Sequence, residues 1–232
     1  MKTIGIVGGL GPEATVDYYN EIINSFKNES ADLFYPEIII YSVNMSEFIG
    51  LMREKKYDQA MEKILEKTDA LKRAGAVFAA ITANTPHMFF DILKQRCNLP
   101  LISIVEATRD ICVKNGYKRA GLLGTGFTMD ASFYPDVFSR TGIEVIMPET
   151  DDRKIINTKL FSEIEIGIFR DDTRQILIDI IEKMVREQHI DCIILGCTEL
   201  PLILKEPEYA GVPSLNTTKI HVDAIVEYCL SE

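Results

Sequence analysis

The sequence predicts an α/β protein built from two pseudo-symmetric halves, each a four-stranded parallel sheet flanked by helices. Three observations carry that expectation. Apolar runs of strand length, Val77 to Thr82 and Ile190 to Gly196, end in small polar residues, as strands buried on both faces do where they reach a turn. Segments with helical periodicity lie between such runs, the alternation that builds parallel β-α-β units. The order then repeats. Gly5-Ile-Val-Gly8 matches Gly121-Leu-Leu-Gly124 at an offset of 116 residues, the tips of Ala76–His87 and Ile190–Pro201 align at 114 with Ala83 opposite Cys197, and Leu99–Ser103 matches Val212–Asn216 at 113. A chance match of one segment is easy; three in one order at nearly one offset indicate a duplicated domain.

Lys2 to Gly8 is the first expected strand. The loop Gly8-Gly-Leu-Gly-Pro-Glu-Ala-Thr15 follows, with Pro12 suited to a first helical turn. A second strand is expected at about Glu37 to Val43, and Ser46 to Lys55 reads equally as a lid or a surface helix. Tyr57 to Gly75 is an amphipathic helix with Ala60, Met61, Ile64, Leu65, Thr68 and Leu71 at helical spacing and Gly75 just past its end. Val77 to Thr82 is the third strand, Pro86 to Cys97 a helix, and Leu101 to Ile104 a short fourth strand. In the second half, helices are expected at Glu106 to Asn115, Asp130 to Arg140, Lys154 to Gly167 and Thr173 to Gln188. Its four strands are Lys118 to Gly124, Glu144 to Met147, Ile190 to Gly196 and Val212 to Leu215, and Lys219 to Leu230 is a closing helix that returns to the first domain. With right-handed crossovers, the expected domains are residues 1–103 plus 217–232 and residues 104–216, with both sets of strand tips meeting at an active-site cleft.

Composition narrows the function classes. The chain has 232 residues, of which 47% are hydrophobic, enough to build a full core. Twenty-five Lys and Arg against 35 Asp and Glu give a net charge of −10, which opposes nucleic acid and anionic membranes. No run has the length of a membrane span and the N-terminus lacks a signal-peptide pattern. Five cysteines without a C-x-x-C pair fit no closed disulfide set. A cytoplasmic, reduced enzyme or binding protein is expected, free of nucleic acid and membrane partners.

Cys197 is the leading candidate for chemistry. Open α/β sheets place ligands at the carboxyl ends of their strands, and backbone N–H groups and a helix N-terminus there favour a thiolate. The plain alternative is a small buried residue. Cys97, Cys112, Cys192 and Cys229 fall within expected helices or strands and read as structural. His87, His189 and His221 share no ligand spacing, so no metal is expected. His189 ends a helix, His221 reads as packing or surface, and His87 lies close to the Ala83 tip. Gly9-x-Gly11-x-x-Ala14 formally matches a dinucleotide fingerprint. The second strand, however, ends in Ser42-Val43-Asn44 with no acid for a ribose, and Pro12 lacks an N–H for a pyrophosphate. Gly9, Leu10 and Gly11 read better as an N–H nest for a small carboxylate. G-x-S-x-G, P-loop and zinc motifs are absent.

Two quasi-equivalent tips facing one ligand suit a nearly symmetric reaction. Removing a proton from one face of a carbon and returning it to the other is such a reaction, and it needs two acid/base groups. Cys197 supplies one. Ala83, at the other tip, carries no proton; Thr82 points to the opposite face of an alternating strand, and the Thr85 hydroxyl is a poor base unless activated.

The segments Gly8-Gly-Leu-Gly-Pro-Glu-Ala-Thr15, Asn84-Thr85-Pro86-His87, Leu123-Gly-Thr-Gly-Phe-Thr-Met129 and Gly196-Cys-Thr-Glu-Leu-Pro201 resemble those of the aspartate/glutamate racemase family, the cofactor-independent amino-acid racemases. They span nearly the whole chain. The resemblance implies two Rossmann-like domains around a shared cleft, a small amino-acid substrate, no cofactor and a homodimer. It also implies a pair of cysteines, one of them a threonine in some members, flanking the substrate α-carbon. Cys197 matches the second, and the first falls at Ala83, where this chain departs from the pattern. By position, Asn84, Thr85 and Thr198 would hold the α-amino and α-carboxylate groups, and Thr125 and Thr128 match the threonine-bearing loop of the second domain. Glu199 stands where glutamate racemases have a histidine. Some aspartate racemases have an arginine after the second strand; Ser42–Glu47 contains none. Arg170 follows Gly167-Ile-Phe169, where related aspartate racemases have a lysine, and either grips a substrate carboxylate or pairs on the surface with Asp171 or Asp172.

Three classes follow. The first is a racemase of aspartate or glutamate, as a natural one-thiol variant or an engineered Ala83 form. The second is a single-cysteine decarboxylase, since arylmalonate decarboxylase looks like a relative on this fold that uses one cysteine at the second position. The third is a binding protein with a degenerate site.

Overall fold

The computed structural model describes residues 1–27 and 33–231; residues 28–32 and 232, inside the ranges expected for the first domain, lie outside that description. The chain divides into two compact units, Met1–Ile104 with His221–Glu232, and Val105–Ile220. Among the described residues no helix is long and apolar enough to cross a membrane.

In the first unit, β1 (Ile4–Gly8), β2 (Ile38–Ser42), β3 (Phe78–Ile81) and β4 (Leu101–Ile102) form a parallel sheet in the order β2-β1-β3-β4. Every residue of β1 and β3 is buried, which is why both read as uninterrupted apolar runs. Ile4, Ile6, Phe78 and Ala80 pack with Tyr18, Ile22 and Phe26 of α1 (Pro12–Lys27) and with Val222, Ile225, Val226 and Cys229 of α11 (Thr217–Leu230). Each buried Ile, Val or Phe side chain among these contributes about 1.5–3 kcal/mol by leaving water. The segment with two readings is α2 (Met45–Arg53), a helix whose Phe48 and Met52 are buried and whose N-terminus is capped by the Asn44 side chain on Glu47 N. In α3 (Tyr57–Arg73) the buried residues are Ala60, Met61, Ile64, Leu65, Thr68 and Leu71, the periodic set read from the sequence. It ends at Gly75 with φ of +108°. Gly75 N donates to Lys72 O and Ala76 N to Leu71 O, both at 3.0 Å, the pairing that closes a helix through a left-handed residue. The helix expected at Pro86–Cys97 is divided into a 3₁₀ turn, Thr85–Phe89, and α4 (Phe90–Arg96).

The second unit holds β5 (Arg119–Leu123), β6 (Glu144–Ile146), β7 (Cys192–Leu195), β8 (Glu208–Tyr209) and β9 (Val212–Asn216), ordered β6-β5-β7-β9-β8. Four of these strands are parallel; β8 adds an antiparallel edge that the expected four-stranded sheet lacks. Two residues are too few to show a period. The signal was the two-residue loop Ala210-Gly211, where φ is +50° and +77°, the backbone of a tight hairpin. Helices α5 (Ile104–Asn115), α6 (Gly126–Met129), α7 (Phe133–Ser139), α8 (Thr150–Ser162), α9 (Asp171–Gln188) and α10 (Leu200–Ile203) complete the unit. The helix expected at Asp130–Arg140 is present as the shorter α7, and α6 is a further turn that precedes it. The one expected to run to Gly167 stops at Ser162 and continues as a 3₁₀ turn, Ile164–Ile166, closed by Gly167 at φ +75°.

The duplication holds at the level of strand register. The offsets of 116, 114 and 113 carry the pair Ile4↔Phe78 onto Ala120↔Cys192, and Ala79↔Leu101 onto Ile193↔Ser214. The matched strand ends share a close approach. A Cβ on Gly8 would stand 2.4 Å from Thr15 Cγ2, and one on Gly124 would stand 3.1 Å from Thr128 Cβ. In both units glycine therefore lets the following helix seat a threonine against the strand end.

Two histidines lie deep in the first unit, His87 at 3% and His221 at 0% exposure. Burial lowers His87 to about 4, and burial together with His87 lowers His221 to about 3. In the unfolded chain a histidine titrates near ~6.5. Between those values the unfolded chain binds protons that the fold excludes. Their contribution is therefore complete above about pH 6.5 and is lost as pH falls toward about 4, on the order of 3 kcal/mol for His87 alone. Urea unfolding followed from about pH 7 to about pH 5 is expected to show falling stability, with a flatter dependence in His221→Gln.

Candidate functional site

In both sheets the strand order places a topological switch point between the first and third strands, the position at which doubly wound sheets hold ligands. The candidate residues other than Arg170 follow these carboxyl ends. Ala83 stands two residues beyond the end of β3 and Cys197 two beyond the end of β7, so the equivalence of the two tips is structural as well as sequential.

The tip of β7 carries the reactive group. Cys197 is 5% exposed and packs in a core cluster with Ile193, Leu195 and Leu200. Its Sγ lies 3.2 Å from Glu165 Oε1 and 3.1 Å from Glu199 Oε2. The Thr198 hydroxyl donates to the same Glu199 oxygen at 3.0 Å, and Glu199 is 1% exposed. Thr125 and Thr128 are buried at the neighbouring β5 tip with their hydroxyl oxygens 3.4 Å apart, and Asn157 Oδ1 accepts from Gly126 N at 2.7 Å, which fixes that turn.

Glu165 is the residue that sequence reasoning missed. It lies 32 residues before Cys197, on the 3₁₀ turn after α8, where the sequence pattern suggested continuing helix. The turn is fixed from several sides. Ile164 is fully buried in the core of the unit. Glu163 O accepts from Ile166 N and Ile168 N, and the Glu163 side chain accepts from Lys159 Nζ and from the Thr173 hydroxyl. The available signal was the alternation Glu163-Ile164-Glu165-Ile166 closed by Gly167, which marks a turn with one apolar anchor but not what its acids face.

The electrostatics correct one expectation. A thiol at a strand tip was expected to ionise easily. The Glu199 backbone does favour the thiolate, but burial and the two facing carboxyls dominate and push the Cys197 thiol well above its usual range. Burial, then the charge of Glu199, raises Glu165 to about 8, against the pull of its hydrogen bond with Cys197. A thiol has one proton and cannot donate to both acids. With Glu165 protonated at neutral pH, the consistent arrangement has the Glu165 O–H directed at sulfur and the S–H directed at Glu199.

The tip of β3 is chemically quieter. Ala83 and Asn84 are buried and Thr85 begins the 3₁₀ turn. The Thr82 hydroxyl donates to Val7 O at 3.3 Å, back into the sheet. In the β1 loop, Gly9 N–H donates to Thr15 Oγ1 at 2.8 Å, so the expected N–H nest is narrowed: this donor is taken up within the loop and the reading rests on Leu10 and Gly11. Arg170 precedes α9 and lines an open cavity of about 360 Å³ with Phe169, Arg174, Leu202, Lys205 and Glu206, a lining that does not include Cys197. Arg170 makes no ion pair with Asp171 or Asp172 among the described residues; Glu163 is held below the usual carboxylate range by its hydrogen bonds from Lys159 and Thr173, and the Arg170 charge adds to them.

Known proteins give this geometry its context. The model of the Asp/Glu/Hydantoin racemase family matches residues 7–225. The chain is 28% identical over 204 residues to the broad specificity amino-acid racemase RacX of Bacillus subtilis, covering 87% of each. Its fold superimposes on an aspartate racemase homologue from Pyrococcus horikoshii with a TM-score of 0.85 at 35% identity, and on a candidate Asp/Glu racemase from Yersinia pestis with 0.90 at 34%, each over 100% of both chains. The chain belongs to the Asp/Glu/Hydantoin racemase family, a family of isomerases.

Proposed function

We propose that this protein moves the α-proton of a small acidic amino acid, aspartate or glutamate, without a cofactor, using Cys197 as its acid/base group. The observation that carries this reading is the Cys197 thiol buried between two carboxyls, one of them held protonated to about pH 8. A buried neutral thiol at rest becomes a base when its proton passes to Glu199, and the Glu165 O–H then donates to the thiolate. The same contacts return the proton when the carbanion is quenched. Asn84, Thr85 and Thr198 hold the α-amino and α-carboxylate groups, Leu10 and Gly11 offer further N–H donors, and Arg170 reads the side-chain carboxylate.

Position 83 limits the reaction. Inversion requires a proton donor on the second face of the α-carbon, and the reading has the β3 tip serving the same substrate as the β7 tip. Alanine there leaves one-face chemistry, which also suits protonation of a carbanion left by loss of carbon dioxide. Proton NMR in deuterated buffer with L- and D-aspartate, glutamate and alanine, and with an arylmalonate, separates the cases. Hydrogen–deuterium exchange at the α-carbon of one enantiomer, with little inversion, is expected. Ala83→Cys restores racemisation, and Cys197→Ser abolishes exchange. Rapid inversion by the unsubstituted chain would sink the one-thiol reading, and turnover of the arylmalonate alone would replace it with the decarboxylase.

The proton arrangement makes a separate prediction. Glu165→Gln offers a donor toward sulfur at every pH and removes the charge that Glu165 carries above about pH 8, where the thiol titrates, so Cys197 is expected to ionise at lower pH. Ultraviolet absorbance of the thiolate, taken as the difference from the matching Cys197→Ser chain, reads this directly. An unchanged titration means that Glu165 does not act on the thiol.

The protein is proposed to work as a cytoplasmic homodimer. Light scattering at micromolar concentration is expected to give twice the mass of 26.2 kDa, and a monomer rejects the assembly without touching the chemistry.

A further inference from the structure

The segment Asn84-Thr85-Pro86-His87 contains a compensation that explains its last two residues. The 3₁₀ turn Thr85–Phe89 bonds each carbonyl to the N–H three residues on, as His87 N does to Asn84 O at 3.0 Å. In that register the carbonyl of Ala83 would accept from residue 86. Residue 86 is proline and has no N–H. Ala83 is 5% exposed, so water does not readily replace the missing donor, and a buried carbonyl without a partner is unfavourable. The His87 ring supplies that donor: its Nδ1 lies 2.9 Å from Ala83 O. The other ring nitrogen settles the tautomer. Ile104 N–H donates to His87 Nε2 at 3.3 Å; an amide can only donate and a carbonyl can only accept, so Nδ1 carries the proton.

The ring is itself held in place. It stacks on Phe90, with centroids 5.2 Å apart and planes 14° apart. Its edge meets His221, 6.1 Å away, whose Nε2 faces Ile102 O at 3.0 Å and whose Nδ1 faces the Tyr18 hydroxyl at 2.9 Å. Ile104 is the last residue of the first unit before the chain passes into the second. The ring therefore joins the tip of β3 to the point at which the chain leaves that unit.

We infer that His87, as the neutral Nδ1–H tautomer, is the positioning residue of the β3 tip: it stands in for the absent N–H of Pro86 on the Ala83 carbonyl and fixes Asn84 and Thr85 relative to Ile104. The part of the inference that concerns activity rests on the reading that Asn84 and Thr85 hold the substrate.

Asparagine and glutamine divide the two bonds of the ring between them. His87→Asn keeps a donor at the δ position, for Ala83 O; His87→Gln places its amide at the ε position, for Ile104. His87→Gln is expected to raise KM for α-proton exchange and to lower kcat/KM about tenfold, the scale of one unsatisfied buried carbonyl, while His87→Asn stays close to the unsubstituted chain. Pro86→Ala returns the backbone donor and is expected to rescue His87→Gln. A merely structural role moves the two substitutions together and gives no rescue. Amide hydrogen exchange of residues 83–87 in the free protein supplies a second readout, faster in His87→Gln and restored by the added Pro86→Ala. If the chain turns over no substrate, the reading of function fails and the amide exchange still decides the placement of His87. Equal exchange in the Asn and Gln chains, or no recovery with Pro86→Ala, overturns the inference.

Discussion

The parallel pairing of a first strand with a third, made twice in the same register, is the constraint on which the site depends. Once Ile4 pairs with Phe78 and Ala120 with Cys192, the chain must leave each sheet at matched points. β3 then ends two residues before Ala83 and β7 two residues before Cys197. Gly8 and Gly124 let Thr15 and Thr128 close on the adjacent strand ends. Strand tips in such sheets have their backbone groups only partly used by the ladder, which is what makes them places for ligands. The tip residues are set by register, and what they do is set by what the following turns bring to them.

Those turns give the two tips opposite electrostatic characters. After β7, the chain places Thr198 and Glu199 against the thiol, and a separate turn brings Glu165 from the other side. Three ionisable groups then share one buried volume, and the cost of burying charge is limited by keeping protons in it. After β3, no side chain at position 83 can ionise. The polar groups below that tip are two histidines whose ring nitrogens meet a carbonyl or amide of the backbone, or the Tyr18 hydroxyl, and which burial keeps neutral. One tip gathers three ionisable groups, and the other holds a backbone shape.

The fold was legible because its signals are local or repeated. Buried strands appear as apolar runs, α3 shows its period in six named residues, and the three offsets that located the repeat reappear as strand register. β8 was illegible because a two-residue strand has no period, and the division of the helix at Pro86 was underestimated because a 3₁₀ turn shares the apolar spacing of an α-helix over so short a stretch. Cys197 was legible as a strand-tip cysteine. Its protonation was not, because that depends on Glu165, whose position is fixed by Ile164 packing into a core that no local pattern reveals. The easy ionisation expected of the thiol rested on backbone N–H groups. That effect is present through Glu199, and two carboxyl side chains outweigh it.

The raised pKa of the thiol is compatible with base chemistry. On the proposed reading, a thiolate formed early in a buried site would repel the α-carboxylate of an arriving amino acid. A thiol that keeps its proton until the substrate ammonium is present meets its ligand as a neutral group. The incoming positive charge then offsets part of the repulsion from Glu199 that held the proton in place. The coupling runs both ways: the charge that eases ionisation of Cys197 is bound more tightly when the sulfur is ionised. On the proposed reading, two carboxyls around one thiol tie the appearance of the base to the arrival of the substrate, and the thiolate is held back until there is a proton for it to take.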